Sequence, residues 1–230
     1  MSKKINLSGK CLALTNLWVM QFQHFGNFTS LFSKYTFLFL IFKFFLFKQL
    51  NLKNNFFVLD YKFFILKNEF FIVLTNFFKN FNEFNYFFNL LSSIWFKNFN
   101  FLSFRFLIFF KKTFYLSSDF LQSYISYLSK KLFYSPKKIF TLLFILLKKK
   151  LNQSILTTTK NGLKRKKIIG FKMQLRGRYE LTKTAMAKIT QIKFGKINST
   201  DLKINVTFMN YFFYTKLGNC SIKIWLFSSF

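Results

Sequence analysis

Basic side chains are the residues of this sequence that could do chemistry, and the chemistry open to them is the neutralisation of phosphate. The 230 residues include 36 lysines and arginines but only 6 aspartates and glutamates, a formal net charge of +30. Self-repulsion at this charge opposes compaction unless a polyanion neutralises it, and nucleic acid does so with release of condensed counterions. An anionic membrane surface would favour one juxtamembrane cluster, whereas these charges extend from Lys3 to Lys223. The distribution of charge therefore favours nucleic acid as the partner.

Residues for other kinds of chemistry are scarce. Cys11 and Cys220 are far apart, no Cys-x-x-Cys pair is present, and His24 is the single histidine. A metal site needs three or four ligands close together, so none is supported, and we expect the cysteines to be ordinary thiols. The six carboxylates are scattered, and no serine, histidine and acid group together. We therefore predict that the protein is not an enzyme and uses no metal, cofactor or small-molecule substrate.

The Phe-rich stretch at 35–50, YTFLFLIFKFFLFKQL, raises the question of membrane insertion. Its apolar part, Thr36 to Phe47, has 12 residues and contains Lys43, whereas a spanning helix needs about 20. A mid-helix lysine costs about 2.5–3.5 kcal/mol, against roughly 0.3–0.6 kcal/mol gained for each Phe, Leu or Ile. We therefore predict no membrane insertion. A Phe-rich inner-membrane protein and a free RNA-binding maturation factor are the alternatives.

Composition also indicates where the chain is made. The 41 phenylalanines, with only 7 glycines and 1 proline, are typical of a coding sequence under strong A/T pressure, as in some organellar genomes. The N-terminus has neither the apolar run of a signal peptide nor the Arg- and Ser-rich pattern of a transit peptide. We therefore expect a protein that is encoded and synthesised in the organelle where it works.

Changes in composition predict three parts: an N-terminal arm at 1–24, a Phe-rich domain at 25–117 and a C-terminal α/β domain at 118–230. Polar interruptions in the Phe-rich part predict a helix at 36–50, strands at 61–67 and 69–75, a helix at 80–91 and a strand at 98–109. Ser118 and Asp119 are predicted to cap the next helix. Pro136 is predicted to kink that helix or to start a new one, which continues over 139–147.

The last third of the chain is predicted to be a sheet. Residues 153–167 are expected to form a loop with a phosphate-binding run at 164–167. Beyond it, apolar and polar side chains alternate at 171–176, 202–208 and 222–226, which predicts strands that pack on helices and present one basic face. Arg176 and Arg178 are predicted to share a strand face, whereas Trp225 and the phenylalanines are predicted to belong to the core.

Motifs near both ends of the chain resemble those of the ribosomal protein S three family of the small ribosomal subunit. In that family a strand closes with Gly-Arg, an Ala-Arg precedes a Gly-Arg turn, and the last strand follows a Thr and a Gly. The matching residues are Gly177-Arg178, Ala187-Lys188, Gly195-Lys196, Thr215, Gly218 and the strand Ile222–Phe227. Gly9, Leu12 and Trp18 match the family's opening in register. Two matches in the right order are more specific than either alone.

The resemblance implies an α+β fold: a degenerate KH-like (type II) N-terminal domain plus C-terminal helices packed on a mostly antiparallel four-stranded sheet. A KH domain holds nucleic acid through a Gly-x-x-Gly loop. No glycine lies between Gly26 and Gly162. The KH-like scaffold is therefore expected to lack that loop and its grip on single strands.

The resemblance also implies a function, that of a structural constituent of the small ribosomal subunit, here in the mitochondrial matrix. The family lies in the head of the subunit, binds small-subunit rRNA and neighbouring head proteins, and lines the channel through which mRNA enters. Its mRNA-contacting basic cluster matches Lys137 and Lys138, and its third basic position falls near Thr141. The predicted rRNA contacts set position without reading bases. They are Lys3, Lys4, Lys10, Lys148, Lys149, Lys150, Lys164, Arg165, Lys166, Lys167, Lys172, Arg176, Arg178, Lys183, Lys188 and Lys196.

Overall fold

The structure, a computed structural model, divides the chain into two compact units. One unit is Val19–Phe114, and the other joins Met1–Trp18 to Tyr115–Phe230. A β-sheet lies in each of them. The residues that the structure describes are 9, 20–21, 36–37, 40, 58–66, 69–76, 89, 92–93, 103–110, 117–130, 132–159, 162–180, 186–201 and 203–229.

The unit Val19–Phe114 contains a mixed four-stranded sheet in the order β1-β2-β3-β4. The bounds are β1 Met20–Gln21, β2 Val58–Leu66, β3 Glu69–Asn76 and β4 Ser103–Phe110. Strands β2 and β3 form an antiparallel hairpin with Leu66 opposite Glu69, while β1 pairs parallel to β2 and β4 parallel to β3. The strands predicted at 61–67, 69–75 and 98–109 correspond to β2, β3 and β4.

The two helices predicted for this unit lie mostly outside the described residues. Residues 36, 37 and 40 of the segment 36–50 are helical, and so is residue 89 of the segment 80–91. Of the predicted N-terminal arm, the described residues are Gly9, in a short 3₁₀ turn, and the two residues of β1.

Helix α1, Ser118–Lys130, begins after a serine cap. The cap is Ser117, whose Oγ accepts a hydrogen bond from the backbone N–H of Phe120 at 3.0 Å. The predicted cap pair, Ser118 and Asp119, was therefore wrong by one position, because both residues already belong to the helix. Asp119 lies in the first turn, where the positive end of the helix dipole favours an acid.

Helix α2, Pro136–Lys149, is a separate helix rather than a continuation of α1. Ser135 Oγ accepts a hydrogen bond from the backbone N–H of Lys138, and Pro136 fills the first turn, where its missing N–H removes no helical bond. Of the two outcomes predicted for Pro136, the start of a new helix is the one that the structure shows. The helix begins three residues before the predicted segment at 139–147.

The sheet of the C-terminal part has five strands, whereas four were predicted. The order is β5-β6-β9-β8, and β7 pairs with β6. The bounds are β5 Ser154–Thr159, β6 Gly162–Gly177, β7 Lys188–Gly195, β8 Ile204–Thr215 and β9 Gly218–Ser229. All pairings are antiparallel. The extra strand fits because β5 and β7 lie one after the other along the same edge of the 16-residue β6.

The loop predicted at 153–167 was wrong, because these residues form the hairpin β5–β6. Ser154 lies opposite Lys167 and Thr159 opposite Gly162. The hairpin closes where Thr159 Oγ1 donates a hydrogen bond to the carbonyl of Gly162 at 2.9 Å, and Gly162 has a φ of +95°. The β-branched residues of 154–159 favour a strand over a loop.

The main core lies between the two helices and one face of this sheet. Helix α1 packs on β8, and α2 packs on β6 and β9. The ring of Phe144 in α2 meets those of Phe171 and Phe194 edge-on, with centroids 6.0 and 6.3 Å away. The core residues from the strands are fully buried or nearly so: Phe171, Met173, Leu175, Ile222, Ile224 and Leu226. In the described part of the chain, no helix combines the length and the apolar character needed to cross a bilayer.

Candidate nucleic-acid interface

The face of the C-terminal sheet opposite the helices carries the polar half of the alternation. We call it the open face and define it by Lys172 and Arg176 of β6, Lys193 of β7, Asn210 of β8 and Lys223 of β9. These residues share a face because directly paired residues of antiparallel strands point to the same side. Lys172 pairs with Lys193, and Lys223 pairs with Asn210. No strand position on this face is acidic.

One end of the open face is closed by the chain itself. Ile204, Val206 and Phe227 form a small buried cluster against which Ile197 and Trp225 pack. The segment after β7 reaches this cluster by passing very close to Gly170, where a Cβ would lie 2.4 Å from the carbonyl oxygen of Lys196. The prediction that Trp225 belongs to a core is confirmed for this cluster.

Two lysines of the open face were missed by the sequence interpretation. Lys193 is exposed and lies beside Lys172, and Lys223 is half-buried in the next row of the sheet. Lys172 is anchored because its Nζ lies 5.0 Å from the ring centroid of Trp225, a cation–π contact. The alternation of Lys223 with Ile222 and Ile224 was a signal that could have identified it. Placing Lys193 on this face required the register between β6 and β7, which cannot be read from the sequence.

The basic run at 164–167 lies in strand β6 and not in a loop as predicted. Lys164, Arg165 and Lys167 are exposed, and Lys166 is half-buried. Because successive side chains of a strand point to opposite faces, the run places two charges on each side of the sheet. A polyanion on one face can therefore reach only half of these four charges directly.

Both ends of helix α2 carry exposed lysines. Lys137 and Lys138 lie in the first turn, which contains no acid. Two positive charges at this end interact unfavourably with the helix dipole, at a cost of typically 0.3–1 kcal/mol each. The positive end of the dipole and the two lysines together attract phosphate. Lys148 and Lys149 lie in the last turn, where the dipole favours them. Lys150 follows as the C-cap residue.

Arg176 and Arg178 do not share a strand face, and that prediction was wrong. Gly177 ends β6 with a φ of +125°, so the alternation of the strand stops before Arg178. A Cβ at Gly177 would lie 2.7 Å from the carbonyl of Asn219. Arg176 is exposed on the open face. Arg178 is half-buried, and its carbonyl accepts a hydrogen bond from Cys220 Sγ at 3.2 Å.

Lys188 is held by an acid. Its Nζ donates a hydrogen bond to Glu180 Oε2 at 2.8 Å. This hydrogen bond, followed by the charge of Lys188, lowers the pKa of Glu180, and the same hydrogen bond raises the pKa of Lys188. A polyanion that binds Lys188 must therefore compete with Glu180. The charge of Lys137 also lowers the pKa of Glu180, which places α2's first turn near this pair.

The remaining predicted contacts fall into two groups. Lys196 is exposed at the end of β7, and its backbone N–H donates a hydrogen bond to the carbonyl of Ile169 at 3.0 Å. Lys3, Lys4, Lys10 and Lys183 lie outside the described residues.

No arrangement for bond-making chemistry emerges where the structure describes the chain. Groups of three or more His, Cys, Asp or Glu side chains are absent from the described residues. Cys220 is a buried free thiol, and burial raises its pKa, which lowers its reactivity as a nucleophile. What the described side chains can do is neutralise phosphates across the open face and at both ends of α2.

Comparison with known proteins gives one informative relative. The chain is 34% identical over 148 residues to the small ribosomal subunit protein uS3m of Chondrus crispus. The similarity covers 64% of this chain and 59% of that protein, so the chain spans less than two thirds of the length of the relative that it matches. A scan against models of protein families found no match.

Proposed function

Because the chain belongs to the uS3 family of small ribosomal subunit proteins, in its organellar form, we propose that it is a structural constituent of the mitochondrial small ribosomal subunit. The resemblance predicted from the terminal motifs is confirmed by the similarity to uS3m. The observation that carries the proposal is this similarity, extended over 148 residues. The name of that relative assigns it to the small ribosomal subunit, and the same assignment is proposed for this chain.

Binding to small-subunit rRNA is the biochemical part of the proposal. The open face supports this proposal, because it carries three lysines and Arg176 and has no acid at any of its strand positions. Lysine and arginine on a sheet face bind phosphates and release counterions, which gives strong, salt-dependent and sequence-independent binding. The proposed role is non-enzymatic: the chain holds rRNA and neighbouring head proteins in place and thereby supports translation.

The N-terminal unit is proposed to be a KH-like domain that lacks its gripping loop. In support, a hairpin, β2–β3, is followed by a strand, β4, that pairs parallel to β3. This order matches the predicted succession of two strands, a helix and a third strand. We also retain the division into an arm at 1–24, the KH-like domain at 25–117 and the C-terminal domain at 118–230 as part of the proposal.

A contact with incoming mRNA is proposed for Lys137 and Lys138. Both side chains are exposed, and they lie in the first turn of a helix, where no acid compensates their charge. The unfavourable interaction of the two lysines with the helix dipole is relieved when a phosphate binds there. Crosslinking from these two positions in translating ribosomes tests the proposal. Crosslinks to mRNA are expected, and crosslinks to rRNA alone would remove the mRNA contact from this chain.

The proposed location is the mitochondrial ribosome in the matrix, with the gene in the organelle genome. Sedimentation of a mitochondrial lysate through a gradient rich in magnesium tests the assignment. We expect the protein to migrate with the small subunit and to leave that position when magnesium is chelated. Retention in carbonate-washed membranes would instead support an inner-membrane protein. Migration with free RNA and without the subunit would support a maturation factor.

A further inference from the structure

The end of the open face farthest from the Trp225 cluster contains an aromatic and amide-rich depression. Its volume is ≈ 310 Å³, near the lower limit of about 300–1,000 Å³ for small-ligand sites. It lies where the rows of Lys223 and Arg176 meet the strand β8. The side chains that matter for its chemistry are Arg176, Asn210, Phe212, Asn219, Ser221 and Lys223.

Phe212 is the unexpected residue of this depression. Its ring is 55% exposed, although the phenylalanines were predicted to be core residues. The cause is the register: Phe212 pairs with Ser221 on the open face, while its neighbour Phe213 points to the helices and is buried. Tyr214, two residues further on the same face, is 85% exposed. Two aromatic rings thus stand in solvent at spacing two on one strand.

The charges around these rings are all positive. Lys223 lies one row away on the adjacent strand β9, and Arg176 lies in the row of Phe212 on β6, the strand beyond β9. An exposed aromatic ring beside two cations attracts a ligand that has both a π-face and negative charge. A segment of protein with an apolar surface would match the rings but would leave the two cations uncompensated.

An amide atom supplies a second, independent observation. Within the described part of the chain, Asn210 Oδ1 is buried and has no hydrogen-bond partner. A buried acceptor without a donor is unfavourable, so a donor that reaches it is stabilising. Asn210 lines the depression beside Phe212, and a group that occupies the depression can supply this donor. The edge of a nucleobase carries N–H groups of this kind.

We propose that this depression binds an unpaired nucleotide of RNA, with its base stacked on Phe212. The adjacent phosphates lie between Arg176 and Lys223, and an N–H of the base donates to Asn210 Oδ1. Tyr214 provides a second stacking surface for the next base along the strand. The chain thus holds a single-stranded RNA segment on its sheet, which its N-terminal unit, without a Gly-x-x-Gly loop, is not expected to do. The inference rests on the proposed rRNA-binding function and names the form of RNA that this part of the surface takes.

The test compares two substitutions of Phe212 in the full-length chain. A labelled, uridine-rich single-stranded RNA and an RNA duplex of equal length serve as probes at several salt concentrations. Phe212→Leu keeps an apolar side chain but removes the π-face, and Phe212→Tyr keeps the π-face. We expect Phe212→Leu to weaken single-strand binding by about 5- to 150-fold, the usual effect of losing one base–aromatic stack. We expect Phe212→Tyr to bind like the unmodified chain, and duplex binding to be the same for all three.

A matched control is available at Phe133, which is 84% exposed between α1 and α2. Phe133→Leu should leave both affinities unchanged. Arg176→Gln should flatten the salt dependence of single-strand binding by about one counterion, because it removes one phosphate contact. Equal binding by Phe212→Leu and Phe133→Leu would overturn the inference, and so would a loss by Phe212→Leu that is the same for single strand and duplex.

Failure of this inference is distinguishable from failure of the proposed function. In assembled subunits, iodouridine-containing rRNA should crosslink to Phe212 or Tyr214. A crosslink from these positions to a neighbouring protein would assign the depression to a protein partner and overturn the inference, while the ribosomal role would stand. A chain that binds neither RNA probe and does not migrate with the subunit would overturn both.

Discussion

Three glycines of strands β6 and β7 allow two effects on stability to be measured separately: the steric contact between closely packed strands and the strain of a positive φ. Gly170 has an ordinary φ, but a Cβ there would lie 2.4 Å from the carbonyl oxygen of Lys196. Gly162 has a φ of +95° and nothing within 4 Å of its missing Cβ. Gly195 combines both, with a φ of +77° and a Cβ that would lie 2.4 Å from the carbonyl oxygen of Ile169. Gly170 therefore tests the steric contact alone, Gly162 tests the backbone conformation alone, and Gly195 tests the sum of the two.

Substitution by alanine should therefore give a graded loss of stability. Forcing one methyl group into the backbone contact at Gly170 should lower the free energy of unfolding by about 1–3 kcal/mol. Alanine at Gly162 would have to adopt a positive φ, which should lower the free energy of unfolding by about 1–3 kcal/mol. At Gly195 both effects act on the same residue, so Gly195→Ala should cost about 2–6 kcal/mol, the largest of the three.

The assay is guanidinium denaturation of the full-length chain, followed by tryptophan fluorescence. Trp225 packs against the cluster beside Gly170 and Gly195, and it becomes the single reporter in a background in which Trp18 and Trp95 are phenylalanine. The guanidinium salt also screens the repulsion of the +30 charge in every variant alike. If Gly195→Ala costs no more than Gly162→Ala, the close approach of β6 and β7 is not what requires glycine, and this reading of the contact is refuted.

Four further predictions concern a cap, a pH effect, a salt effect and a thiol. Ser135→Ala should destabilise α2 by about 0.5–2 kcal/mol, measured by thermal unfolding, because Lys138 loses its cap; an unchanged melting temperature would contradict this. The lowered pKa of Glu180 means that its contribution to stability is present above the ordinary value of 4.5 and is lost as pH falls through the lowered pKa, so denaturation midpoints of the unmodified chain and Glu180→Gln should converge in acid. Glu180→Gln should also steepen the salt dependence of RNA binding at neutral pH by freeing Lys188, and an unchanged slope would contradict it. Cys220 should resist iodoacetamide in the folded chain and react after denaturation, in a Cys11→Ser background; fast labelling of the folded chain would show that the thiol is accessible.

The alternation of apolar and polar residues was sufficient to predict three strands of the C-terminal sheet, β6, β8 and β9, and part of their basic face. Phe171, Met173 and Leu175 are buried and Lys172 and Arg176 lie on the other side, because a strand has a period of two regardless of its neighbours. The order of the two helices before this sheet also followed from local chemistry. A proline can begin a helix but cannot continue one, and serines favour the cap positions.

Pairing between strands could not be predicted in the same way. Whether Lys193 joins Lys172 depends on which residues of β7 and β6 are opposite each other, and that register is set by contacts distant in sequence. The hairpin at 154–167 was overlooked because polar β-branched residues and lysines were interpreted as a loop, although a sheet edge accepts them. Phe212 was assigned to the core by residue type, and only the register places its ring on the open face.

The place of β8 in the sheet has a consequence for the chain outside an assembly. Among the described strands, β8 pairs only with β9, so its other edge offers a row of backbone donors and acceptors to any strand that approaches. Its twelve residues, INVTFMNYFFYT, contain no charged side chain, and Lys or Pro at such an edge is the usual protection against association. In the isolated chain the protection comes instead from the repulsion between molecules that each carry +30. Salt screens that repulsion within about 10 Å at 0.1 M, so raising the ionic strength to remove bound RNA also removes the barrier to edge-to-edge aggregation.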